Sequence, residues 1–213
     1  MLGSLVEKSI TTPDYYPLSL NALTNACNQL TNREPVMALE EPDVTRALDR
    51  LRVKRLATVY HGSESRVAKH KHTLTEAILL TPAEVALLCV LMLRGPQTVG
   101  ELRTRTERLF KFDTLPEVEE ALNALAARAA DPLVAKLPRA PGTKESRYTH
   151  LLSGPVDVAA AAGTAAPEPS TPPESASPAA DARVAQLEGE VAVLRREVAE
   201  LKEQFAQFRR QFE

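Results

Sequence analysis

Val44, Ala47, Leu48 and Leu51 lie on one face of a helical pattern, and the same four residue types return 74 positions later as Val118, Ala121, Leu122 and Leu125. One amphipathic stripe is common, and alone it constrains little. Here the surroundings return with it. A helical stretch "LSLNALTNACNQL" (18–30) precedes the first stripe, and "LATVY", "HGSES" and "RVAKHKHTL" (56–74) follow it as two extended runs around a turn. The second stripe follows "VGELRTRTERLF" (99–110) and precedes "LVAKL", a turn-rich "PRAPGTKES" and "RYTHLL" (133–152). Helix, helix, hairpin in that order, twice, calls for a tandem of small units, mainly α with small β-hairpins, in the α+β class.

The second unit has the clearer boundaries. Thr81, Pro82 and Glu84 give an N-cap, a first-turn proline and a capping-box glutamate, so a helix starts there and runs to Arg94, where Gly95 and Pro96 stop it. Thr114 and Glu117 start another helix, expected to end near Asp131 and Pro132. Three helices and a hairpin are the parts of a winged helix. In the first unit a helix is expected from Pro42 to about Arg55, but its opening helix reaches only from Leu2 to Lys8 before "SITTPD" is expected to break it. That first helix is therefore read as stunted or begun late.

Four segments follow: a first winged-helix domain over 1–75, a second over 76–154, a flexible linker over 155–181 and a coiled-coil helix over 182–213. The linker reading rests on six prolines among alanines and serines, with almost nothing large enough to build a core. In the last segment Val184, Leu187, Val191, Leu194, Val198, Leu201, Phe205, Phe208 and Phe212 alternate spacings of three and four. Valine in one core class and leucine in the other favour two parallel strands, so this helix is expected to make a homodimer.

Charge excludes little. The formal net charge is -2, and residues 155–213 hold six of the 26 basic and ten of the 28 acidic side chains, leaving the rest nearly neutral. No global field compels nucleic-acid binding, so any such site must be local. The apolar run around Ile78–Leu80 and Val85–Leu93 is too short and too interrupted for a membrane span, and the start carries no signal segment. Cys27 and Cys89 lack CxxC spacing and read as buried thiols of a cytoplasmic protein.

The stretches "LGSLVEKSITTPDYYPLSLNALTNACNQLTNREPV", "LTPAEVALLCVLMLRGPQTVGELRTRTERLFKF" and "PGTKESRYTHLLSG" resemble the bacterial family to which the YceH proteins belong. The likeness covers Leu2 through Gly154. It implies tandem winged-helix domains and brings no established biochemical activity with it. Members of that family commonly carry residues ahead of the position matching Leu2, so the resemblance also implies a late-started first helix.

Candidate sites are polar and basic. Asn21, Asn25, Asn28 and Asn32 recur at spacings of four, three and four; they serve either as a ligand surface or as satisfiers of loop backbone. The helix "DVTRALDRLRVKR" brings Arg46, Arg50 and Lys54 along one row, and the following hairpin adds His61, Arg66, Lys69 and Lys71. With Arg33, the residues Arg46, Arg50, Lys54, Arg66, Lys69 and Lys71 are the candidate nucleic-acid contacts. The corresponding second-unit helix places Glu117, Glu119 and Glu120 in its first turn, which suits the helix dipole and repels phosphate, although Arg139, Lys144 and Arg147 could act from its wing. His70 and His72 share a strand face, but two ligands do not complete a zinc site. No nucleophile stands with a base and an acid at a specified spacing, and no phosphate-binding glycine pattern occurs. The expectation is a non-enzymatic DNA-associated or regulatory homodimer without metal or cofactor, or alternatively a protein-interaction scaffold.

Overall fold

The structure is a computed structural model that describes residues 1–60, 67–128, 131–139 and 145–154. The expected linker at 155–181 and helix at 182–213 lie outside the described residues. Among the described residues helix outweighs strand. Its first half comprises α1 (Leu2–Thr11), a 3-10 turn (Pro13–Tyr15), β1 (Leu18–Ser19), α2 (Leu20–Cys27), α3 (Glu41–Val53), β2 (Ala57–Tyr60) and β3 (Lys69–His72). The three strands form an antiparallel sheet with β3 in the middle; His70 stands between Leu18 on one side and Val59 on the other.

A short α4 (Leu74–Ala77) leads into α5 (Pro82–Arg94), α6 (Val99–Arg105), α7 (Leu115–Ala126), β4 (Val134–Lys136) and β5 (Tyr148–His150). A lone bridge from Gln97 to Tyr148 precedes α6, just as β1 precedes α2. Helix, short strand contact, helix, helix, hairpin thus occurs twice. The repeated stripe faces inward at both places: Val44, Leu48, Val118, Leu122 and Leu125 are buried, and Ala47, Leu51 and Ala121 are half-buried.

α5 begins and ends as its punctuation demands. Thr81 Oγ1 accepts from the Glu84 amide, the Glu84 carboxylate accepts from the Thr81 amide, and Gly95 takes the positive φ of 70° that closes the helix. Between those ends almost every residue is buried, as a helix apolar all round requires. One side joins Leu102, Val118 and Leu122; another joins Leu2 and Val6 of α1 through Val85, Cys89 and Leu93. The two halves therefore meet through α1 and α5.

Several boundaries differ from expectation. α1 does not break at Ser9 but continues to Thr11, because the hydroxyls of Ser9, Thr11 and Thr12 donate back to the carbonyls of Val6, Glu7 and Lys8 and the chain turns only at Pro13. Leu18 and Ser19, at the head of the stretch read as helical, pair with β3, and Ser19 is the residue that caps α2, accepting from the Ala22 amide at 3.2 Å. α6 stops at Arg105, where the Thr106 hydroxyl turns back to Leu102 O. α7 stops at Ala126, and Leu133 N donates to Leu125 O as the chain folds back toward β4.

Candidate nucleic-acid interface

α3 is built to present its charges outward. Pro42 stands in the first turn, the Glu40 amide donates to the Asp43 carboxylate at 3.2 Å, and Arg50 and Arg52 complement the negative C-terminal end. Val44 and Leu48 hold the helix to the core, each burial contributing about 1.5–3 kcal/mol. On the outer face the arginines are not equivalent. Asp43 pairs with Arg46, and Asp49 pairs with Arg52 at 3.4 Å. Arg50 and Lys54, one turn apart and exposed, have no ion-pair partner among the described residues.

The β3 strand alternates its residues as expected. Lys69 and Lys71 fall on one face, with Lys71 Nζ 3.2 Å from Glu76 Oε1. His70 and His72 fall on the other, where His72 Nε2 lies 3.0 Å from Ser9 Oγ and the ring lies beside Tyr16. Burial lowers the pKa of both histidines. The Tyr16 hydroxyl accepts the His72 backbone amide at 2.6 Å, taking the strand's hydrogen bond beyond the end of β1, and burial pushes the phenol up to about 12. Among the described residues no three His, Cys, Asp or Glu side chains are placed to hold a metal ion. His61 and Arg66 lie outside the described residues.

Arg33 requires a correction. It is 8% exposed, and its guanidinium donates to Glu7 Oε2 at 2.5 Å, Glu7 Oε1 at 3.2 Å, Ala26 O at 2.6 Å and Asn32 O at 2.9 Å. No phosphate reaches a side chain so enclosed. Arg108, in the turn after α6, also donates to Glu7, so one buried carboxylate joins the two halves. Burial alone would raise the Glu7 pKa; the hydrogen bond and charge of Arg33, followed by Arg108, outweigh it and hold the group below its ordinary value. Sequence reading missed this network. Its one local signal is a glutamate directly after "LGSLV", in a turn whose every other residue is buried.

The asparagine row divides in two. Asn21 and Asn25 are exposed and bond to each other at 3.2 Å. Asn28 grips the Leu39 backbone through both ends of its amide, at 2.7 and 2.8 Å, and Asn32 accepts from Arg94 at 2.7 Å. In the second half, Glu117 accepts from Asp113 N and Thr114 Oγ1, while Glu119 and Glu120 are exposed. Arg147 is held by Pro96 O and Glu101, both at 3.0 Å; Arg139 is exposed, and Lys144 lies outside the described residues. Both cysteines are buried and free, and burial pushes the Cys89 thiol up to about 12, which leaves it a poor nucleophile.

Among the described residues no helix is long and apolar enough to cross a membrane. These features define a class with more helix than strand and two small hairpins, in which the last turn of α3 and the residues just after it are basic and the first turns of α7 are acidic. Residues 1–143 match the family model described as "Protein of unknown function, DUF480", and the chain belongs to that family. It is 54% identical over 187 residues to a UPF0502 protein of Opitutus terrae, covering 88% of this chain and 80% of that one. A UPF0502 protein of Citrifermentans bemidjiense is 62% identical over 158 residues, covering 74% and 73%. One of Vibrio campbellii is 51% identical over 195 residues, covering 89% and 86%.

Proposed function

We propose that the chain is a non-enzymatic protein of two tandem winged-helix domains, 1–75 and 76–154, that meets duplex DNA through α3 of the first. Arg50 on that helix and Lys54 at its C-cap, both exposed and neither ion-paired among the described residues, carry the reading. Arg46, Lys69 and Lys71 are further phosphate contacts in this reading, as is Arg66, which lies outside the described residues. Acidic α7 leaves the second domain to protein packing. The segment from Val184 to Phe212 joins two copies, placing two weak surfaces on one duplex with a gain in avidity.

Fluorescence anisotropy of a labelled duplex over a salt series tests the DNA reading. Arg50→Ala with Lys54→Ala is expected to weaken binding and flatten the salt slope by about two. Unchanged affinity and slope would remove α3 as the contact surface. Mass measurement of the full chain and of residues 1–154 tests the dimer separately; a monomeric full chain at tens of micromolar would exclude it.

A protein-interaction scaffold is the second reading, favoured by the loop after α2, where Leu30, Val36 and Met37 are 83%, 49% and 42% exposed. A single partner retained from nuclease-treated lysate and lost on Leu30→Ser with Met37→Ser would favour it over DNA.

A further inference from the structure

A cleft of about 380 Å3 lies where the last turns of α3 meet the first turn of α1, α5 and the residues after β5. That volume falls among small-molecule sites, which pair an apolar lining with a few placed polar groups. The apolar part comes from Leu2, Leu51, Leu56, Met92 and Leu152. The charged part has one sign: Arg50 and Lys54 line the cleft, and among the described residues no carboxylate does. His150 supplies one wall, and its Nδ1 is buried without a hydrogen-bond partner. Burial, followed by the nearby N-terminal ammonium, lowers the His150 pKa, so near neutral pH the ring offers a neutral polar edge rather than a further charge.

We propose that this cleft binds a small apolar carboxylic acid, with its hydrocarbon body on the leucine and methionine lining and its carboxylate between Arg50 and Lys54. The other cations of α3 do not compete for that head group, because Arg46 and Arg52 are already paired with Asp43 and Asp49. A guanidinium and an ammonium one helical turn apart form charge-assisted hydrogen bonds to one carboxylate, and the apolar lining selects against short, fully hydrated acids. The site stands whether or not α3 meets a duplex. Where it does, an occupied cleft withdraws the same two cations from phosphate, making the acid an antagonist of DNA binding.

Isothermal titration of the full chain with decanoate, kept below its micelle-forming concentration, is expected to show saturable binding, with none for acetate. Arg50→Gln combined with Lys54→Gln changes only exposed side chains, and circular dichroism should show the parent fold. This variant should bind decanoate about ten-fold more weakly, the loss of charge-assisted contacts, with decanol binding unchanged. Ala47→Leu adds volume to the cleft wall and should weaken both ligands. No saturable decanoate binding, or saturable binding unmoved by these substitutions, would overturn the site. These outcomes are read without DNA, so they are distinct from failure of the duplex experiment.

Discussion

Glu7 accepts from Arg33 Nη2 at 2.5 Å, with the two side chains 0% and 3% exposed. A buried charge left without its partner is far more costly than the pair's net contribution. Glu7→Gln should therefore destabilise the protein by about 3–5 kcal/mol, read as a lower urea midpoint. Arg108 is 39% exposed and can recover water, so Arg108→Ala should cost about 1 kcal/mol or less. Equal losses in the two variants would show that the seam between the halves, rather than the Arg33 pair, carries the stability.

Acid should act in two stages. The depressed Glu7 pKa means that its stabilisation is fully present above the unfolded value of 4.5 and is lost as pH falls through the lower folded value. His70, His72 and His150 also have depressed values, and for these bases it is the protonated form that carries the charge burial disfavours: below 6.5 the unfolded chain takes protons that the folded chain refuses. Stability should begin to fall below pH 6.5 and fall again below pH 4.5. Urea midpoints across this range would show both steps, and His72→Gln should reduce the first. A flat profile from about 7.5 to about 5 would contradict the lowered pKa values of these half-buried histidines.

The four asparagines look alike in the sequence and differ in the fold. Asn28→Ala removes both bonds to the Leu39 backbone and should cost about 1–3 kcal/mol, whereas Asn25→Ala should stay within about 0.5 kcal/mol of the parent. Thermal midpoints of the two variants are a sufficient measurement; equal shifts would contradict the division. Spacing places the amides on a helix face, but the partner of Asn28 lies 11 residues away in a loop with no periodicity to read. The same limit applies to Arg33. Its neighbours "NRE" suggest an exposed turn, and only the return of α1 beside α2 encloses it with Glu7. Local punctuation was legible by contrast: Thr81, Glu84 and Gly95 act within one turn of themselves, so their chemistry is complete in the sequence.

At Gly3, α1 packs tightly against α5. A Cβ there would come within 3.0 Å of Met92 Cβ and Leu93 Cγ, and the Met92 atom moves only with the α5 backbone. Gly3→Ala gains helix propensity but forces the helices apart, with a net destabilisation of about 1–2 kcal/mol expected. Gly100, in α6, has nothing within 4 Å of the same added atom, so Gly100→Ala should stabilise by about 0.5–1 kcal/mol. Denaturant midpoints of this pair separate crowding from propensity, because the substitution is the same and only the neighbourhood differs.

On α3, three cations at four-residue spacing form one row in the sequence, but Arg46 already has Asp43 within reach and Arg50 has no such neighbour. A phosphate approaching Arg46 must share it with a carboxylate, whereas one approaching Arg50 neutralises a free charge and releases a counterion. Arg50→Ala should therefore lower the salt slope of duplex binding by about one, and Arg46→Ala by clearly less. Asp43→Asn should raise affinity by freeing Arg46, provided that its capping bond to the Glu40 amide is retained by the asparagine oxygen. Anisotropy titrations at several salt concentrations give all three slopes. If Arg46→Ala proves the more damaging, the duplex lies against the first turns of α3 rather than its last, and the contact assigned to Arg50 and Lys54 is wrong.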